Sequence, residues 1–179
     1  MGRAGGPRLD PEIARIRRRL VRMAPQTKAL QLALARYRAA SGQLDPQLWA
    51  DAFASNEPQT INQVVEVVGG YVGLVNHMLE MLRSGTKLAG LLAVRDQPSA
   101  SVPEVIEAAR RDGCFTDTQA NTLKQLNRTR NRLQHNSPGV PADEVHERVE
   151  LLMRTMPRLL SSYLDWMARR GVPLVAARQ

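Results

Sequence analysis

The strongest constraint on this chain is where its apolar residues recur. From Val145 the sequence places Val149, Leu152, Met156, Leu159, Leu160, Tyr163 and Trp166 at spacings of three and four, the period of an α-helix with one buried face. A second long stretch, Gln59 to Arg83, repeats the pattern through Tyr71, Val75, Met78 and Leu82. Its run of Val64, Val65, Val67 and Val68 suits a strand, but the length and recurrence of the pattern favour a helix. Local start and stop signals punctuate these stretches. Ser101-x-x-Glu104 and Thr116-x-x-Gln119 fit capping boxes, and Ser137-Pro138-Gly139 is a helix stop. Pro141 fits a first helical turn, with Asp143, Glu144 and Glu147 placed favourably for the helix dipole. The expected fold is all-α, a bundle of antiparallel helices that buries Leu123, Leu126, Val149, Leu152 and Leu160.

The remaining segments complete that organisation. A helical pattern begins after Asp10-Pro11 with Ile13, Ile16, Leu20 and Met23 on one side, is expected to end or kink at Pro25, and resumes through Leu30, Leu34 and Tyr37. Short helices are expected from Asp45-Pro46 to about Ser55, from Lys87 to Arg95, and from Ser101 to Asp112. Gly69, Gly70 and Gly73 leave room for close approach of a second helix, and Pro157 should kink the last one. These boundaries divide the chain into a basic N-terminal extension (1–41), a short connector (42–58), the bundle proper (59–170) and a tail (171–179).

Charge is segregated along the chain. Residues 1–41 hold ten basic side chains against Asp10 and Glu12, whereas residues 42–179 hold fifteen basic and fifteen acidic ones, so the whole net charge of +8 lies in the extension. Such an arm suits a polyanion, with Arg15, Arg17, Arg18, Arg19 and Arg22 as RNA-contacting candidates. A solvated basic face, a membrane-surface contact and an acidic partner are the other readings. Basic residues without interleaved aromatics point to phosphate contact, not base stacking.

Several functional classes find no support. No apolar run is long enough for a transmembrane helix, and the Arg-bearing start is not a signal peptide. Cys114 stands alone, so neither an internal disulfide nor a Cys-based zinc site is available, and a cytoplasmic setting fits best. There is no phosphate-cradling loop, no dinucleotide fingerprint and no Gly-x-Ser-x-Gly elbow. No metal or cofactor is expected. His77 reads as a core or rim histidine, and His146 as a solvent-facing one.

What remains is six residues at the end of a predicted helix, Arg130-Asn131-Arg132-Leu133-Gln134-His135. Arg130 falls on the apolar stripe, seven after Leu123 and four after Leu126, where a guanidinium is expensive unless it is paired or lines a cleft. A fixed cation that can grip a phosphate, an amide, and an imidazole that exchanges protons near neutrality are a sufficient set for cleaving RNA. Five residues at roughly 100° each put Arg130 and His135 about 140° apart on an ideal helix. Either the last turn opens at His135, or a second copy of the helix completes the site.

Arg-Asn-x-Leu-x-His at a helix end, before a Pro/Gly turn and another long helix, resembles the HEPN superfamily. The resemblance spans about residues 59–170. It implies a small helical bundle, a homodimer, and a metal-independent endoribonuclease used as a toxin or antiviral effector. Carried over residue by residue, the family motif gives Arg130, Asn131 and His135 as catalytic, with Arg128 and Arg132 as neighbouring RNA contacts. The resemblance also implies an antitoxin or nucleotidyltransferase partner. In members modified by a nucleotidyltransferase a Tyr stands two residues after the His, where this chain has Ser137. Two other readings stand beside the enzyme. One is a non-catalytic helical domain that binds nucleic acid or a partner protein, with Arg130 and His135 tying helices together. The other is a membrane-surface or purely structural helical protein.

Overall fold

The computed structural model describes residues 10–92, 100–135, 140–172 and Leu174. Among them the chain forms six helices: α1 (Pro11–Ala35), α2 (Pro46–Ala54), α3 (Pro58–Leu88), α4 (Val102–Arg111), α5 (Asp117–His135) and α6 (Ala142–Arg169). The one β feature among the described residues is an isolated antiparallel bridge between Arg38 and Leu44. The protein is therefore an all-α bundle, as the apolar period requires.

Helix starts follow local chemistry. Asp10 Oδ1 accepts the Glu12 amide at 2.7 Å, and Asp45 Oδ1 accepts those of Gln47 and Leu48 at 2.9 and 3.2 Å. Each satisfies amides that the first turn leaves without partners, and each is followed by a proline that needs none. Both expected capping boxes form. The Ser101 amide meets Glu104 at 2.6 Å and the Thr116 amide meets Gln119 at 2.9 Å, with the reciprocal bonds in place.

α3 is the central strut and packs against each of the other five helices. α1 runs antiparallel along it, from a Ser84–Glu12 hydrogen bond of 2.6 Å at one end to an Arg36–Glu66 ion pair of 2.8 Å at the other. Gly70 and Gly73 lie under this contact. A Cβ on Gly70 would come within 3.1 Å of Leu30, and one on Gly73 would strike the Gln26 amide. α1 buries Ile16, Met23, Leu30 and Leu34 in the same core as α3 and α6, so the residues read as an extension also build the bundle.

α5 and α6 form an antiparallel hairpin. Gln119 near the start of α5 reaches Ser162 near the end of α6 (2.8 Å), while Thr129 reaches Glu144 at the other end (3.1 Å). α2 lies against the start of α6, where the Trp49 indole donates to the Ala142 carbonyl at 2.7 Å.

Four expectations are corrected. The separate helix at Lys87–Arg95 does not form: α3 continues through Leu88 and stops at Gly90, whose φ of +65° an L side chain resists, and residues 93–95 lie outside the described set. Pro25 does not end α1, which continues through it to Ala35; α6 likewise continues through Pro157 to Arg169, which leaves the expected kinks of both helices untouched. Leu160 is half-buried, because it stands at the rim of a cleft facing α1, whereas Leu123, Leu126, Val149 and Leu152 are buried as expected. His146 is half-buried, with its Nε2 out of reach of water and without a partner among the described residues. The expected Ser137–Gly139 stop lies outside the described residues; α5 ends at His135.

Candidate active site at the end of α5

The Thr116–Gln119 box and the Leu123, Leu126 and Leu133 stripe fix the roll of α5, and that roll decides where each motif side chain goes. Arg130 is half-buried. Its Nε is shielded from water with no partner among the described residues, and its Nη1 donates to Asn131 Oδ1. No carboxylate among the described residues lies within ion-pair distance of it. Burial pulls the guanidinium below its ordinary pKa, against the opposing field of Glu80, yet an arginine remains charged throughout the working pH range. One turn back, Asn127 is buried with Oδ1 likewise unpartnered. A buried donor and a buried acceptor, both unmet, thus stand on neighbouring turns of one helix. Such groups are uncommon, because each forfeits its hydration without a replacement bond.

Asn131 and His135 are exposed. Because Asn131 Oδ1 is held by Arg130, its Nδ2 is the atom left to donate outward. His135 is the last residue of α5, so the helix does not open before it, and Arg130 and His135 keep their wide angular separation within one chain. Of the motif residues, the structure brings Arg130 and Asn131 into contact, and His135 stands one turn beyond Asn131 on the same side of the helix.

A polar clamp beneath the motif holds this helix end. Thr129 is buried and donates to Glu144 Oε1 at 3.1 Å, while Arg132 pairs with the other oxygen of the same carboxylate. Tyr71 of α3, fully buried, donates to the Leu126 carbonyl at 2.8 Å, and burial raises its pKa well above the usual phenol value. Sequence reasoning passed over Asn127, Thr129, Glu144 and Tyr71. Asn127 and Thr129 were visible as polar residues close to the apolar Leu126; the Glu144 and Tyr71 contacts join different helices and leave no local signal. Arg132, expected to touch RNA, makes an ion pair with Glu144, while Arg128 is exposed.

The cations of α1 divide in the same way. Arg18 and Arg22 face solvent, and Arg17 is half-buried. Arg15 pairs with Glu12 at 3.0 Å, and Arg19 lies 3.1 Å from His77 Nδ1. A guanidinium only donates, so that nitrogen accepts and the His77 proton sits on Nε2. Burial, then Arg19, then Arg22 lower the His77 pKa. Arg19 meets α3 at His77, and Glu12, the partner of Arg15, meets it at Ser84. Among the described residues α1 and α5 both pack on α3 and not on each other.

Among the described residues no three of His, Cys, Asp or Glu stand together as a metal site, and no helix is long and apolar enough to cross a membrane. Comparison of the chain with protein-family models, with curated proteins and with solved structures finds no match.

Proposed function

We propose that this protein is a metal-independent endoribonuclease of the HEPN type, working as a homodimer whose two α5 ends face one RNA cleft. The observation that carries the reading is Arg130, a half-buried guanidinium with no carboxylate partner among the described residues, braced by Asn131 near an exposed imidazole. An unneutralised cation held this way suits a phosphate. The ribose 2′-hydroxyl attacks its own 3′ phosphate. His135 acts as general base or acid, and Arg130 stabilises the charge that builds on the phosphorus. Asn131 orients Arg130 through Oδ1 and donates to a phosphate oxygen through Nδ2. Since α5 stays helical to His135, the acid–base group and the cation on one phosphate come from two copies. A toxin or antiviral role, and an antitoxin or nucleotidyltransferase partner, belong to the same proposal.

A second reading, a non-catalytic domain that binds nucleic acid or a protein, is favoured by the same wide separation of Arg130 and His135 within one chain. Incubating purified protein with total RNA in excess chelator separates the two. The enzyme leaves 2′,3′-cyclic phosphate ends and loses at least ~100-fold in rate on Arg130→Ala or His135→Ala. Equal cleavage by His135→Ala and parent removes the motif as catalyst, and no cleavage by either favours the binding domain. Arg18→Ala/Arg22→Ala tests the basic helix without disturbing the core. It should lower the log–log salt slope of RNA binding by about 0.7 for each phosphate that is no longer neutralised and leave the chemical step intact.

A further inference from the structure

α1 and α6 both lean on α3 but do not close on each other. Between them opens an apolar trough of about 570 Å³, floored by Leu74. Leu20 and Met23 form one wall, and Met153, Met156 and Leu160 the other. Along α1 the lining runs from Leu20 to Gln31, about 16 Å at 1.5 Å per residue, or three helical turns. Val21 and Leu32, 75% and 64% exposed, add apolar surface on the solvent side of α1. A water-facing apolar strip of that length marks a docking surface, and flexible thioethers let it adapt to its occupant.

The charge around the trough chooses the occupant. Lys28 lines the α1 side, and exposed Arg154 stands three residues before Pro157 on the α6 side. Neither has a carboxylate within ion-pair distance among the described residues. Glu150, the acidic residue of α6 nearest to Arg154 in sequence, faces Arg38 at 4.0 Å. We propose that the trough receives an amphipathic helix of a partner protein, its apolar face seated between α1 and α6 and its acidic flank against Lys28 and Arg154. A rod three turns long fits a slot with two helical walls and a helical floor, the arrangement of helix-in-groove recognition. The proposal stands apart from the ribonuclease reading, since no residue of α5 lines the trough.

The test uses the full chain and two labelled peptides of about five helical turns, roughly 18 residues each. They share one Leu-rich face and carry Glu or Lys on the other. Fluorescence anisotropy should show micromolar binding of the Glu peptide, weakened by salt, and much weaker binding of the Lys peptide. Met153→Glu should abolish binding of the Glu peptide. Lys28→Glu/Arg154→Glu should weaken it on the order of tenfold and strengthen binding of the Lys peptide. Circular dichroism of each variant confirms that the bundle is intact. Equal binding of both peptides, no binding of either, or binding indifferent to these substitutions overturns the proposal. So does binding to phosphatidylserine vesicles, or self-association, that Met153→Glu removes while the Glu peptide stays unbound.

Discussion

Two glycines in one helix should respond to the same substitution with opposite sign. Both Gly69 and Gly85 lie inside α3, where alanine is intrinsically better by roughly 0.5–1 kcal/mol. At Gly69 an added Cβ meets nothing within 4 Å, so Gly69→Ala should realise that gain. At Gly85 the same carbon would lie 2.8 Å from Trp166 Cζ3, 3.0 Å from the Tyr163 hydroxyl and 3.1 Å from its ring. Neither aromatic yields cheaply: the Trp166 indole donates to Asp112 at 2.7 Å and the Tyr163 hydroxyl to the Met81 carbonyl at 2.8 Å. Overpacking of this kind costs about 1–3 kcal/mol, so after the helix gain Gly85→Ala should destabilise by up to about 2.5 kcal/mol. Urea melts followed by circular dichroism at constant m-value would read both, as would thermal shifts of about 2–4 °C per kcal/mol. Equal stabilisation by the two alanines would refute the packing at Gly85, and with it the register of α6 on α3.

Three further outcomes are expected. The folded-state pKa of His77 is depressed, so protonation favours the unfolded chain. Stability should hold above about pH 6.5 and decline as pH falls below it toward the folded value, and denaturant midpoints across that window should be flatter for His77→Gln. Cys114 is buried with its thiol pushed well above the usual range, so a thiol reagent at about pH 8 should label it slowly in the native protein and rapidly in denaturant. Glu144→Gln should leave the melt within about 1–2 kcal/mol of the parent yet lower RNA cleavage, because Thr129 and Arg132 lose the carboxylate that fixes the α5 end; unchanged cleavage would show the clamp to be dispensable.

The legible parts of this molecule are those decided within a few residues. Asp10, Asp45 and the two capping boxes act across two or three positions, and the helices start where those residues say. The all-α class followed from period and length, which outweighed the strand character of Val64–Val68, the segment where local composition argued against a helix. Long-range contacts were not legible. The amphipathic pattern of α1 showed that a face must be buried, but not that α3 would cover it. Of the three glycines expected to admit a close approach, Gly70 and Gly73 do so and Gly69 faces open space, whereas Gly85, which admits two aromatic rings, fell between the two helices expected there. At the candidate site the motif was readable and half-buried Arg130 matches its place on the stripe, but buried Asn127 and the Glu144 clamp depend on partners on other turns or helices.

The central position of α3 has a consequence for synthesis on the ribosome. Once α3 has emerged, the α1–α3 pair can zip together from the Arg36–Glu66 end, where the connection is shortest. The opposite flank of α3 must wait. Tyr163 and Trp166, the rings that cover Gly85, come from near the end of the last helix. For most of translation the nascent chain therefore carries a half-built bundle with one greasy flank uncovered, the kind of species on which holding chaperones act. Substitutions that weaken α6 should on this basis lower the yield of folded protein in the cell more steeply than equal destabilisation placed in α1.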